Sequence, residues 1–221
     1  MPRWSPEKVW DGADAVIIGG GDSLRDFPWE ILKGESTIGC NAAYTLGKDI
    51  CSVVLFGDNN FFKNNQAGLQ KYGGPVFTNS RRLQGSVISW LYTVPRQSDG
   101  LGLQSLGWNG NTGASAINLA LLFGASRVFL LGFDMCAVGE KANWHEMYEK
   151  DRKQRHRSMK KAEAGHPYPR FLRGFDAVVR DWKEKFSDRE IVNVNDDTNL
   201  RCFPVVPVNE WIRERTNGQN D

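Results

Sequence analysis

The chain contains no uninterrupted apolar run approaching the ~20 residues needed to span a bilayer, and its start, MPRWSPEKVWDGAD, lacks the apolar stretch of a secretory leader. The expectation is a cytoplasmic protein with no membrane partner. Cysteine is sparse and scattered: Cys40, Cys51, Cys136 and Cys202 form no CxxC pair, which argues against a zinc ribbon or a disulfide scaffold and leaves them as reduced packing residues. Charge of one sign is scarce too, with 28 Lys and Arg against 26 Asp and Glu, a formal +2 that does not mark the whole chain as a nucleic-acid binder. No GxxxxGK[ST] lysine loop is present, and no GxSxG elbow accompanies the three histidines. P-loop phosphotransfer and serine hydrolysis are set aside on those grounds.

What the 221 residues do contain is 40% hydrophobic and 24% charged, a globular composition of a length that suits a single α/β domain over 1–221. Short apolar, β-branched runs predict buried strands at AVIIG (15–19), STIGC (to Cys40), SVVLF (to Phe56) and RVFLLG (127–132), with weaker candidates PVFTN and SVISWLYTV and a later strand EIVNV (190–194). TGASAINLALLF (112–123) reads as a buried helix with Thr112 as N-cap and Gly124 as its stop. Amphipathic helices are expected at about 170–186 and over VNEWIRER, and the Gly-rich stretch SDGLGLQSLGWNGN as a loop. KDRKQRHRSMKK, Lys150–Lys161, carries seven Lys or Arg against one Asp and reads as a solvated basic helix within an insertion at about 145–165, a possible contact for a polyanionic acceptor such as DNA. Alternating strands and helices describe an open, mostly parallel Rossmann-like sheet with helices on both faces, whose ligands sit above the strand C-termini.

Those C-termini carry the candidate binding residues: Gly20, Gly21, Asp22 and Ser23 after the first strand, Asn41 after the second, Asp58 after the third, Thr112 and Gly113 at the buried helix, and Asp134 after RVFLLG. Glycines let backbone N–H groups approach a phosphate, and Ser23 adds a hydroxyl donor, although a glycine turn can be only a turn. Leu24 occupies the third glycine of a dinucleotide fingerprint, and Asn41 stands where an acid would hold a ribose, so hydride transfer is disfavoured. Asn41 can read a base or sugar edge or simply form a turn. Asp58 can bind a sugar hydroxyl or cap the following helix. Asp134 can orient a ribose or acceptor hydroxyl, or cap a loop, and has no second carboxylate near it in sequence, so no metal pair is evident. Asn195-Asp196-Asp197 reads as a turn. Of the histidines, His156 lies among arginines, whereas His145 and His166 are the candidate general bases.

The ordered set IIGGGDSL, GCN, GDNNFF, NTGASAINLALLFGASRVFLLGFDM and a later His-containing loop resembles bacterial CMP-sialic-acid-dependent sialyltransferases and the related 6-hydroxymethylpterin diphosphokinases and phage proteins. The resemblance runs from about Ala15 to Pro204. It implies that Gly19–Leu24 stand in for a Gly-Asn-Gly-Pro-Ser-Leu loop contacting the nucleotide, with Asp22 in place of proline and Gly20 in place of asparagine. It further implies that Asn41 contacts the nucleotide, that Thr112 and Gly113 face the donor, and that Gly165-His166 carries the catalytic base. Asn143-Trp144-His145 retains the second histidine of a His-Trp-His cluster found in the phage relatives. The implied activity is metal-independent transfer from a nucleotide-sugar by direct displacement, with no resident cofactor. Two alternatives accompany it: an ATP- and Mg²⁺-dependent diphosphokinase with Asp58 and Asp134 as ligands, and a non-catalytic nucleotide-binding or phage assembly protein, a homo-oligomer being possible in any case. For a phage-encoded chain the compartment would be the host cytoplasm.

Overall fold

The computed structural model describes residues 7–136, 143–145, 147 and 168–217. An eight-stranded sheet organises the molecule. Its strands are β1 (Asp14–Ile18), β2 (Thr37–Cys40), β3 (Val53–Phe56), β4 (Val76–Thr78), β5 (Leu91–Thr93), β8 (Arg127–Leu131), β9 (Glu190–Val194) and β10 (Val205–Val206), in the spatial order β10-β9-β8-β1-β2-β3-β4-β5. Between β5 and β8 lie β6 (Arg96–Gln97) and β7 (Leu106–Gly107), which form a separate two-stranded sheet. Every pairing among the described residues is parallel, from Val16 opposite Thr37 on one side of β1 to Val16 opposite Phe129 on the other.

Parallel strands need both faces covered, which explains why β1 reads AVII without polar alternation. Ala15, Ile17, Val128 and Leu130 point into a layer filled by α2 (Thr112–Leu122) and α3 (Tyr168–Lys185). Val16, Ile18, Phe129 and Leu131 point into the opposite layer, filled by α1 (Asn59–Lys71) and α4 (Val208–Asn217), where Phe61, Phe62 and Trp211 supply the bulk. The open α/β sheet with helices on both faces is therefore as the residue pattern predicts. Among the described residues no helix is long and apolar enough to cross a membrane.

All eleven residues of α2 are buried, including the polar Thr112, Ser115 and Asn118. Asn118 uses both ends of its amide: Oδ1 accepts from the Gly102 and Gly107 amides at 2.8 and 3.0 Å, and Nδ2 donates to the Gly102 carbonyl at 2.9 Å. Ser115 donates to the Gly107 carbonyl at 2.7 Å. The stretch expected to be only a loop is thus tied to α2 and contains β7.

Three local expectations are corrected. Asn111, not Thr112, is the N-cap of α2, since its side chain accepts from Gly113 N at 2.7 Å. Only Leu91–Thr93 of SVISWLYTV is a strand, because Leu91 N is turned back onto the Ile88 carbonyl and Val87 stands 92% exposed. β10 went unanticipated: two residues between Pro204 and Pro207 carry no periodic signal. The basic stretch Lys150–Lys161 and most of the insertion predicted at about 145–165 lie outside the described residues.

Candidate functional site

The strand order places a switch point beside β1. The chain runs outward from β1 to β5 and returns to β8 on the other flank of β1, so the direction of winding reverses between β1 and β8, the place where open sheets of this kind hold ligands in a crevice above the strand C-termini. The glycine turn emerges there. A Cβ on Gly19 would stand 2.7 Å from the Gly132 carbonyl oxygen, and one on Gly21 would come closer than 3.0 Å to the Asp134 carboxyl group. These glycines exist because the loops after β1 and β8 touch, backbone to backbone and backbone to carboxylate.

Asp134 locks that contact. It is 2% exposed; Ser23 N donates to its Oδ2 at 3.0 Å, Ser23 Oγ to its Oδ1 at 2.6 Å, and Asn195 Nδ2 to Oδ1 at 2.7 Å. The residue considered for orienting a ribose therefore spends its carboxylate on the glycine loop. Asn195, read from sequence as part of a turn, is one: its Oδ1 accepts from Asp197 N at 2.9 Å. Its amide end is a second, unforeseen role, which joins the end of β9 to the loops of β1 and β8. Asp22 pairs with Arg25 one turn further on.

Asn41, directly after β2, adopts φ +51°, a left-handed conformation that Asn tolerates. Thr112 Oγ1 lies 3.5 Å from Asn41 Oδ1, and a Cβ at Gly113 would overlap the Phe133 ring after β8. The N-terminal end of α2 thus sits between the ends of β2 and β8, its positive dipole end toward the crevice. Gly20, Gly21, Ser23, Asn41, Thr112 and Gly113 are brought together on one sheet edge.

Asp58 behaves differently. Its side chain accepts from Asn60 N at 2.7 Å and caps α1. It follows β3, whereas Asp134 follows β8, three strand spacings away, or roughly 14 Å at ~4.8 Å each. Two Asp side chains cannot share one Mg²⁺ at ~2.1 Å ligand distances across that gap. Among the described residues no group of three or more His, Cys, Asp or Glu is placed to hold a metal ion.

The segment 143–145 covers the glycine turn. Trp144 N donates to the Gly20 carbonyl at 3.3 Å, and its indole Nε1 to the Gly19 carbonyl at 3.0 Å. A Cβ built at Gly20 would lie 3.0 Å from Asn143 Oδ1 and 3.8 Å from His145 Nε2, so the imidazole is next to the loop. Burial pushes His145 down to about 4, which keeps it neutral at pH 7. Tyr168, at the start of α3, is pushed up to about 12, first by burial and then by Asp134, Cys136 and Asp22, so its phenol stays protonated and able to donate. His166 lies outside the described residues. Neither Trp144 nor Asn195 is among the site residues read from the sequence, and a polar residue directly after a predicted strand is the one signal available for Asn195.

The sequence matches no protein-family profile and no curated protein. Solved structures do resemble the fold. The sialyltransferase CstII from Campylobacter jejuni, in complex with cytidine-5'-monophosphate, superposes with a TM-score of 0.52 at 12% identity, over 90% of this chain and 86% of that one. Monofunctional α-2,3-sialyltransferase Cst-I from the same organism gives 0.56 at 15% identity, over 90% and 82%. The MAf glycosyltransferase from Magnetospirillum magneticum AMB-1 gives 0.59 at 13% identity, over 95% of this chain and 38% of that larger one. At such identities the shared property is the fold.

Proposed function

We propose that the chain is a glycosyltransferase that takes a sugar from a nucleotide donor, with the nucleotide seated over the ends of β8, β1 and β2. The observation that carries this reading is the convergence at the switch point of a glycine turn, a left-handed Asn41 and the N-terminal end of α2. The glycine N–H groups of Gly19 and Gly21 are spent on the Leu131 and Gly132 carbonyls, so in this reading the helix dipole at the start of α2 faces the phosphate, and Asn41 and Thr112 offer neutral amide and hydroxyl groups to a sugar or base. The likeness to a fold that has been solved with CMP supports the same placement.

In the proposed reaction the acceptor hydroxyl gives its proton to a histidine as its oxygen attacks the anomeric carbon, and the bond from that carbon to the nucleotide phosphate breaks. A base with a conjugate-acid value of about 4 takes protons poorly at neutral pH, so His145 suits packing against the loop, and His166 is assigned the base. The Tyr168 phenol, protonated at all working pH values, is assigned to donate a hydrogen bond to the departing phosphate. No cofactor enters these steps.

The test is a thermal-shift panel of CMP, UDP, GDP, ATP and their sugar conjugates, with and without Mg²⁺, followed by assay of sugar transfer from any donor that binds. A ligand at 100 times its Kd stabilises by about 2.7 kcal/mol. A panel in which no nucleotide shifts the melting temperature would sink the proposal. Stabilisation by ATP that requires Mg²⁺, with a diphosphate product, would replace it by the diphosphokinase reading.

A further inference from the structure

The small β6–β7 sheet has no part in the site described so far, yet it holds one cation in a fixed place. Leu106 N donates to the Pro95 carbonyl at 2.8 Å and Trp108 N to the Gln97 carbonyl at 3.0 Å, which brings Arg96 and Trp108 side by side. The Arg96 guanidinium lies 3.9 Å from the Trp108 ring centroid. The indole in turn rests on Gly57, at the C-terminal end of β3, where any Cβ would overlap it. A stacked guanidinium on an indole that is itself seated on backbone has lost most of its freedom before any ligand arrives.

A second cation stands beside it. Thr78 of β4 is paired with Thr93 of β5, and Arg81 and Arg96 each come three residues after their threonine, so both leave neighbouring strands at the same height. The Arg96 guanidinium, still fully protonated, has its value lowered first by burial and then by the Arg81 charge, while the Asp58 carboxylate opposes both. Among the described residues neither Arg81 nor Arg96 makes an ion pair, and Asp58 is engaged as the cap of α1. Two like charges held close at a ligand-binding sheet edge, one of them pre-oriented, are arranged for an oxyanion.

We infer that Arg96, held on Trp108, and Arg81 form an anion subsite at the β3–β4 end of the crevice that receives an acidic group of the acceptor. The assignment to the acceptor rests on the nucleotide placement proposed above. Arg81 follows β4, three strand spacings or roughly 14 Å from β1, which lies beyond the phosphate and transferred sugar of a donor seated over β8, β1 and β2. The acidic group is a carboxylate or a phosphoryl group.

Side-chain ¹⁵Nε–¹Hε spectra of the arginines test this directly, with the full chain titrated by sodium phosphate and separately by sodium acetate at constant ionic strength, each with and without CMP. The expected result is a saturating response of Arg96 and Arg81, at least about tenfold tighter than that of the exposed Arg82 and Arg25, and weakened about tenfold at Arg96 by Arg81→Gln. The stronger of the phosphate and acetate responses identifies the group. Uniform, non-saturating shifts at all arginines, or a response at Arg96 untouched by Arg81→Gln, would overturn the subsite. Loss of the phosphate response when CMP is added would make the pair part of the nucleotide's own phosphate site and overturn the acceptor assignment. Failure of CMP and every other nucleotide to bind, with phosphate still saturating Arg96, would remove the nucleotide reading and leave the anion subsite standing.

Discussion

Gly21→Ala isolates the contact on which the glycine loop depends. The backbone at Gly21, φ −62° and ψ 150°, is one that alanine adopts freely, so any cost must come from the new methyl and not from backbone strain. That methyl would lie closer than 3.0 Å to the Asp134 carboxyl group, and ordinary contact begins at 3.4 Å. The carboxylate cannot retreat cheaply, because Ser23 N, Ser23 Oγ and Asn195 Nδ2 hold it at 3.0, 2.6 and 2.7 Å. A hydrogen bond to a charged group contributes ~1.5–3 kcal/mol, so losing one or two of the three costs between ~1.5 and ~6 kcal/mol, and the middle of that range, about 3–4 kcal/mol, is the expected destabilisation. Urea unfolding of the four proteins in a double-mutant cycle measures it. In an Asp134→Ala background the methyl has room, and Gly21→Ala is expected to cost less than about 1 kcal/mol there, a coupling of about 2–3 kcal/mol. Equal costs in the two backgrounds, or a cost below about 1 kcal/mol in the parent, would refute the claim that loop and carboxylate define each other.

Four further outcomes are expected. His145, with its folded value lowered from 6.5 to about 4, is neutral in both states above pH 6.5 and favours the unfolded state as pH falls toward 4; urea midpoints between pH 7 and 4 should fall more steeply in the parent than in His145→Gln. Asn118→Leu removes three buried hydrogen bonds and should cost about 2–4 kcal/mol, with amide exchange rising at Gly102 and Gly107 before the sheet is affected. His166→Ala should leave nucleotide binding intact and lower transfer by about 10²–10⁴-fold, while His156→Ala changes little, as read by single-turnover assays. If Lys150–Lys161 binds DNA, the logarithm of affinity should fall with that of salt at a slope of about −0.9 per neutralised phosphate, and a flat response removes DNA from the partners.

The strands that frame the crevice were legible because each is a short apolar run ending in a residue that cannot continue it: Ile18 before three glycines, Cys40 before Asn41, Phe56 before Gly57 and Asp58. The direction in which a strand-end side chain faces was not legible in the same way. Asp134 and Asp58 have similar local sequence, yet one is buried under Ser23 and the other caps a helix, a difference set by Asn195, 61 residues from Asp134. Asn111 and Thr112 are both good caps, and adjacency in sequence does not choose between them. The two-residue strands β6 and β7 are too short to show a period, so the one element that fixes Arg96 on Trp108 had no signature in the pattern of apolar residues.

The position of β1 also governs how the chain can be made. Its first residue, Asp14, is joined by a two-pronged ion pair to Arg127, 113 residues later, and β8 is the strand that closes this flank of β1. At ~5–20 residues per second, the 113 residues between the ends of β1 and β8 leave that edge of β1 bare on the ribosome for roughly 6 to 23 s. The bare edge is AVII, four apolar residues with unpaired backbone groups, the kind of surface on which nascent chains join one another. Soluble yield should therefore respond to translation speed between residues 20 and 131 more than to speed anywhere after it.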